Sequence, residues 1–489
     1  MKRMIIVLLV IGMIGACFTS CGNANQGSEE SNVTSEFNTE HETDPVMERL
    51  EEVKEKADWK GQDFGILYVN NIAGYTEEFE AVANTNDASG SGVINDAVYE
   101  RNKLFEEYCH LNMVLIPKSN SAINGQLLNE IKTMTGDFHL VMQTAADTAT
   151  AATSGYLFDY LKLNIDYEQP WWDQGMLDFS LKGHIYLMNG PFNIVDDDVT
   201  YVMMFNKKLQ TEHHIENLYE TVQNKQWTLS YFNSLISDFS SDNGDGVWDD
   251  KDTYGFTSPS TVGASFFYGA GLRMVDNSRT METPKLMLDD KMEIALNVLD
   301  ISLAVIHDNN SSYVTGSGQE STSAEIFTSG RALFYSEVAS YLRSMTANME
   351  DDYGVLPIPK YNEEQEKYYT WSNSIGSTLS IPSTIAKQDV ESFAIVLEVY
   401  ALLSQKYVRP AYYDVVLLTR NVDDVESSEI LDMIFQNRTY DMALYYSLGL
   451  SNVFSNAVMS RGSDFSSQYA AANRNFDRTI INLLRRIPD

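Results

Sequence analysis

The sequence predicts an α/β protein built on a parallel sheet, and three observations carry that prediction. Short, nearly continuous apolar runs recur at 64–69, 111–116 and 138–142, as strands covered on both faces require. Between them the apolar residues change to a helical period, and strand–helix–strand succession builds right-handed parallel pairs. At 489 residues the chain is also long enough for a large core in about two to three domain-sized units.

Residues 1–22 come first. Lys2 and Arg3 form a basic head, and the apolar run 4–16 is too short to span a bilayer, so the segment reads as a secretory signal. It ends in small residues beside Cys17 and Cys21 and resembles the lipobox of bacterial lipoproteins. Ile14-Gly15-Ala16-Cys17 fits by residue type, whereas Cys21 is followed by Gly22-Asn23, so either cysteine is a lipidation candidate. Residues 23–59 follow as a disordered tether and lead-in. Within this stretch, residues 23–46 hold six acids, no Lys or Arg and few large apolar groups, too little to bury.

The folded part opens with Phe64-Gly65-Ile66-Leu67-Tyr68-Val69. Ile94, Ala97, Val98, Phe105 and Tyr108 then mark one helix face, with Asn95 a candidate N-cap. The run 111–116 is the second strand, Ile123, Leu127, Leu128 and Ile131 mark a helix ended by Gly136, and 138–142 is the third strand. Ligands of open α/β sheets sit beyond the carboxyl ends of the strands. Here those ends lead into loops carrying Asn70, Tyr75 and Asp147, side chains suited to hydrogen-bonding a polyol.

Composition limits the function. The 69 Asp+Glu against 34 Lys+Arg, net −35, exclude nucleic acid, which needs a basic surface. The same charge argues against electrostatic docking on anionic lipid, so acyl anchoring would hold the protein at a membrane. The 28 tyrosines offer flat faces with a polar edge, which suits sugars and peptides. Three cysteines do not make a disulfide scaffold, and Cys109 falls on an apolar helix stripe. Enzyme signatures are missing: there is no G-x-S-x-G elbow and no phosphate loop, and His213-His214 cannot share a metal face as H-E-x-x-H does.

A resemblance adds to this reading. Asn95-Asp96-Ala97-Val98-Tyr99-Glu100-Arg101-Asn102, Gln169-Pro170-Trp171-Trp172-Asp173 and Gly183-His184-Ile185-Tyr186 carry its first half. Trp227-Thr228-Leu229, Tyr353-Gly354-Val355-Leu356-Pro357-Ile358-Pro359-Lys360 and Pro410-Ala411-Tyr412-Tyr413-Asp414 carry the second. In that order they resemble extracellular solute-binding proteins of family 1, the maltodextrin-binding-like receptors of ABC importers. One departure is Met203-Met204-Phe205-Asn206, which has Phe where the family commonly has Tyr.

The resemblance implies a two-lobed, periplasmic-binding-protein-like type II fold with a hinge and an interlobe ligand cleft. By motif order, lobe one is 60–192 plus 354–405 and lobe two is 193–353 plus 406–489. It further implies a monomeric, non-enzymatic receptor, lipid-anchored on the extracellular face of the cell membrane. Such a receptor takes a carbohydrate, an oligosaccharide, to ABC permease subunits. The alternatives are a peptide or other polar solute, or a surface sensor or adhesin. Trp371 and Tyr335 are the candidate ring-stacking aromatics, one beside the hinge and one after Gly330-Arg331-Ala332-Leu333-Phe334.

The segment 241–252 resembles an EF-hand-type calcium loop. In that register Asn243, Asp245, the Val247 carbonyl, Asp249 and Asp252 would hold a structural Ca2+. Ser241 at the first position and Asp at the last both depart from the usual loop.

Overall fold

The apolar runs at 64–69, 111–116 and 138–142 each fall on a strand. The computed structural model describes residues 44–487 apart from 73–82, 84–91, 278–280, 282, 309, 317, 418–424 and 463. Strand β1 (Asp63–Val69) lies between β2 (Asn112–Lys118) and β3 (Leu140–Thr144), all parallel. The helices joining them keep the expected apolar stripes: Ile94, Val98, Phe105 and Cys109 are buried from Gly92–Cys109, and Ile123 and Leu127 from Asn120–Thr133. Asn95 lies inside the first helix and does not cap it. A fourth strand, β12 (Ser377–Ser380), comes from much later in the chain and joins β3 antiparallel.

Gly65 shows why this sheet closes. A Cβ there would lie 2.0 Å from the Asp137 carbonyl oxygen, so only glycine allows the approach. The Gly65 N–H instead donates to His139 Nδ1 at 3.1 Å. That acceptor needs a neutral imidazole, and burial keeps it so by pushing His139 down to about 4.

The second sheet runs β10 (Tyr353–Leu356), β4 (Tyr201–Asn206), β9 (Ala332–Val338), β5 (Tyr254–Pro259), β8 (Ser312–Thr315). Strands β5, β8 and β9 are parallel; β4 and β10 are antiparallel to their neighbours. Every residue of β4, β5 and β9 is buried, because helices cover the sheet. A small hairpin, β6 (Val275–Asp276) with β7 (Lys285–Leu286), stands apart.

Each sheet with its helices makes one lobe of an α/β, two-lobed fold, and the chain crosses between them more than once. The outward crossing runs through helix Ile194–Asp198, and the return through 372–376. Thr200 and Ser372 bridge antiparallel, and the Asn373 N–H donates to the Val199 carbonyl at 3.2 Å. Beside them β11 (Thr370–Trp371) pairs with β13 (Arg438–Thr439).

Two expected boundaries change. β10 is paired with β4 through Tyr353↔Asn206 to Leu356↔Met203, so the return to lobe one begins after it and not at 354. The lead-in of the tether is ordered from 45: Asp44 accepts from the Val46 N–H and Pro45 opens helix Pro45–Lys54. Leu50 and Val53 bury against lobe one, and Arg49 pairs with Glu398 at 2.9 Å.

Candidate functional site

The carboxyl ends of the strands bring one edge of each lobe to the junction. On lobe one, β1 is followed by Asn70, exposed, its N–H donating to the Lys118 carbonyl at 3.0 Å. β3 ends at Thr144, which caps helix Ala145–Thr153 by accepting from the Asp147 N–H at 3.2 Å. Thr144 Oγ1 donates in turn to Asp147 Oδ2 at 2.6 Å, so one oxygen of this carboxylate is engaged in the cap. The Ala145 N–H donates to the Gly376 carbonyl at 2.8 Å, tying the edge to the returning crossing. Tyr75 lies outside the described residues.

On lobe two, the next-to-last residue of β9 is Glu337, a position the sequence reading passed over. It is 6% exposed and accepts from the Val338 N–H at 3.0 Å. Burial pushes its carboxyl up to about 7, so near neutrality it both donates and accepts.

The two expected stacking aromatics are placed otherwise. Tyr335 is fully buried, its ring stacked on Phe327 of helix Glu320–Thr328 at 5.6 Å and 26°. It points into the lobe because β9 is covered on both sides, and it offers no ring face to a cleft. Trp371 does sit at the crossing, but it is 6% exposed. One face lies on Tyr201 at 4.4 Å and 5°, and its Nε1 donates to Ser265 Oγ at 3.2 Å. Asp147 and Trp371 therefore lie beside the crossing segments, Asn70 is exposed just past β1, and Tyr335 is enclosed in lobe two.

The junction itself is held by charge. Asp196, Asp197 and Asp198 occupy consecutive positions of the crossing helix, each 2% exposed. Arg438 reaches Asp173 at 2.7 Å, Asp196 at 2.9 Å and Asp197 at 2.7 Å. Arg409 pairs with Asp197 at 2.8 Å, and Arg343 with Asp198 at 2.5 Å. Tyr440 donates between Asp173 and Asp196, Tyr412 to Asp198, and Ser372 to Asp196. Burial pushes Asp196 and Asp198 up to about 6, against the pull of Arg438 on the first and Arg343 on the second. The readable signal was the acid run itself, flanked by Ile194-Val195 and Val199 where a solvated run has polar flanks.

The 241–252 loop closes on its own backbone. Asp252, 1% exposed, accepts from the Asn243 N–H at 2.9 Å and the Asp249 N–H at 2.7 Å. Asp245 accepts from the Val247 N–H, and Asp249 from the N–H and ammonium of Lys251. Gly244 and Gly246 supply the positive φ, 105° and 77°. Among the described residues no three His, Cys, Asp or Glu side chains converge as a metal site. The residues of the expected calcium set, Asn243, Asp245, Val247, Asp249 and Asp252, all lie on this loop.

Cys17 and Cys21 lie outside the described residues. Cys109 is fully buried, and burial raises its thiol pKa, so it is core. Among the described residues no helix is long and apolar enough to cross a membrane.

The sequence matches no protein-family model and no curated protein. Solved structures do share its fold. A cyclo/maltodextrin-binding protein complexed with maltotetraose superposes with a TM-score of 0.55 at 12% identity, over 86% of this chain and 98% of that one. A family 1 extracellular solute-binding protein from Bifidobacterium longum subsp. infantis gives 0.52 at 13%, over 86% and 100%. UgpB from Mycobacterium tuberculosis, in complex with glycerophosphocholine, gives 0.51 at 17%, over 81% and 97%. At such identities the likeness establishes the two-lobed solute-binding fold.

Proposed function

We propose that this chain is the lipid-anchored substrate-binding protein of an ABC importer, capturing a carbohydrate, an oligosaccharide, by lobe closure and delivering it to a permease. What supports the reading is a two-lobed fold whose chain crosses between the lobes more than once, with the ends of β3 and β9 hydrogen-bonded to the crossing segments at Gly376 and Thr200. Each edge contributes polar groups, Asn70 and Asp147 from one lobe and Glu337 from the other. A ligand touching both edges binds the closed state better than the open one, and that difference drives closure. The carbohydrate class is supported by the maltotetraose-bound neighbour. Anchoring rests on the sequence around Cys17 and Cys21. A binder of a small polar solute is the second reading, favoured by the glycerophosphocholine complex of UgpB. No reaction is assigned.

A thermal-shift screen with maltotetraose, glycerophosphocholine and an oligopeptide separates these. A ligand at about 100 times its dissociation constant stabilises by about 2.7 kcal/mol. The expected result is a shift with the oligosaccharide alone. A shift confined to glycerophosphocholine or peptide would replace the substrate class.

A further inference from the structure

With 69 Asp+Glu against 34 Lys+Arg, a concave surface without acids is the exception in this chain. One cavity has such a wall. It measures about 180 Å³ and lies where the segment after helix Val262–Gly269, the approach to β11 and strand β13 meet. Arg273, Lys367 and Arg438 line it together with Tyr369 and Thr439, and no Asp or Glu does. The adjoining cavity of about 340 Å³ shares Lys367 and Arg438 but has Glu168, Asp173 and Asp432 on its wall.

The three cations are not equivalent. Arg438 is committed to Asp173, Asp196 and Asp197 and brings no free charge. Arg273 has one ion pair, with Asp276 at 3.8 Å, too long for a hydrogen bond. Lys367 is exposed and pairs with no acid among the described residues; its neighbour Glu366 is held by Lys225 at 2.9 Å. The hydroxyls of Tyr369 and Thr439 also have no hydrogen-bond partner among the described residues, and neither residue is buried. The wall therefore combines two incompletely matched positive charges with two further donors, all open to water. The net charge of −35 opposes an anion at a distance. At about 0.15 M salt that field is screened beyond about 8 Å, so the wall itself decides what binds.

We propose that this cavity binds a phosphate group, whose oxygens accept from the Arg273 guanidinium, the Lys367 ammonium and the hydroxyls of Tyr369 and Thr439. A carboxylate has two oxygens for these four donors, whereas a phosphate has three or four and matches the guanidinium fork. The small cavity suits the phosphate group alone, and the larger one beside it has room for the body of an ester. Inorganic phosphate and a phosphate ester present the same chemistry to this wall. None of Asn70, Asp147, Glu337 and Trp371 lines the cavity, so its occupancy does not rest on the receptor reading.

Equilibrium dialysis of the full chain against radiolabelled inorganic phosphate, at fixed ionic strength, tests this. Binding should saturate, and Lys367→Gln and Arg273→Gln should each weaken it at least about tenfold, the loss of one charge-assisted hydrogen bond. Lys132→Gln, at an exposed position of lobe one, should leave it unchanged. Both site variants should melt with the parent when phosphate is absent, because neither side chain is buried or firmly paired. Competition by glycerol 3-phosphate names the source: displacement tighter than by unlabelled phosphate assigns an ester, and equal displacement assigns free phosphate, either result upholding the site. No saturable binding of phosphate or of its ester, or binding that both site variants leave intact, overturns the site. Acetate displacing the label as well as phosphate does overturns the ligand class. Failure of maltotetraose to bind would sink the receptor reading and leave this result standing.

Discussion

The interior of lobe two and the junction between the lobes are equally buried but held by opposite chemistry. Inside the lobe Phe232 meets Phe256 and Phe334 edge to face at 5.2 and 5.3 Å, contacts that survive small shifts of either partner. At the junction Asp173, Asp196, Asp197 and Asp198 face Arg343, Arg409 and Arg438, and each oxygen has one place to be. Apolar packing holds a lobe together without fixing how it meets its neighbour. A buried ion network fixes that meeting, at the cost of depending on every member.

The largest effect should therefore come from breaking the network. Arg438→Met leaves three carboxylates without their main partner and should cost about 3–5 kcal/mol. Ile326→Val, a methylene lost from the fully packed side of lobe two, should cost about 0.5–1.5 kcal/mol. Urea unfolding of both variants measures the difference. Equal losses would erase the distinction between the regions.

A smaller effect separates the regions by pH. Asp196 and Asp198 titrate at about 6 in the folded chain against an ordinary 3.8, so through that window the folded state holds the extra protons. By linkage, their contribution makes stability fall as pH rises from about 4 to about 6 and then level off. Glu337, at about 7 against 4.5, extends the fall by about one unit. Denaturation midpoints taken across this range should show the decline, and Glu337→Gln should remove its upper part. The slope should be the same in Ile326→Val as in the parent chain, because an apolar side chain binds no proton.

Much of the fold was legible in the sequence because its signals are local. The run around Ile66 and Leu67 has one reading as a buried strand, and the stripe of Ile94, Val98 and Phe105 has one reading as a helix face. The site was less legible because its determinants are distant. Asp197 is satisfied by Arg409 and Arg438, 212 and 241 residues away, and nothing near it announces a partner. Tyr335 failed for another reason. All seven residues of β9 are buried, so alternation along the strand cannot tell the side facing a helix from an opening. Trp371 lies beside the crossing, and its cover, Tyr201, comes from 170 positions earlier in the sequence. Asp147 shows the ambiguity of a short acid at a strand end, where capping and ligand binding ask for the same residue.

The central claim is that a solute held by both strand-end edges closes the lobes about this charged junction. The direct measurement is the distance between spin labels at Lys132→Cys in lobe one and Lys291→Cys in lobe two, both exposed positions, with Cys17 and Cys21 replaced by serine. Buried Cys109 stays unlabelled. Pulsed dipolar spectroscopy with and without the solute that gives the largest thermal shift should show one shorter, narrower distance on saturation. A solute that raises the melting temperature while leaving the distance distribution unchanged would contradict the account.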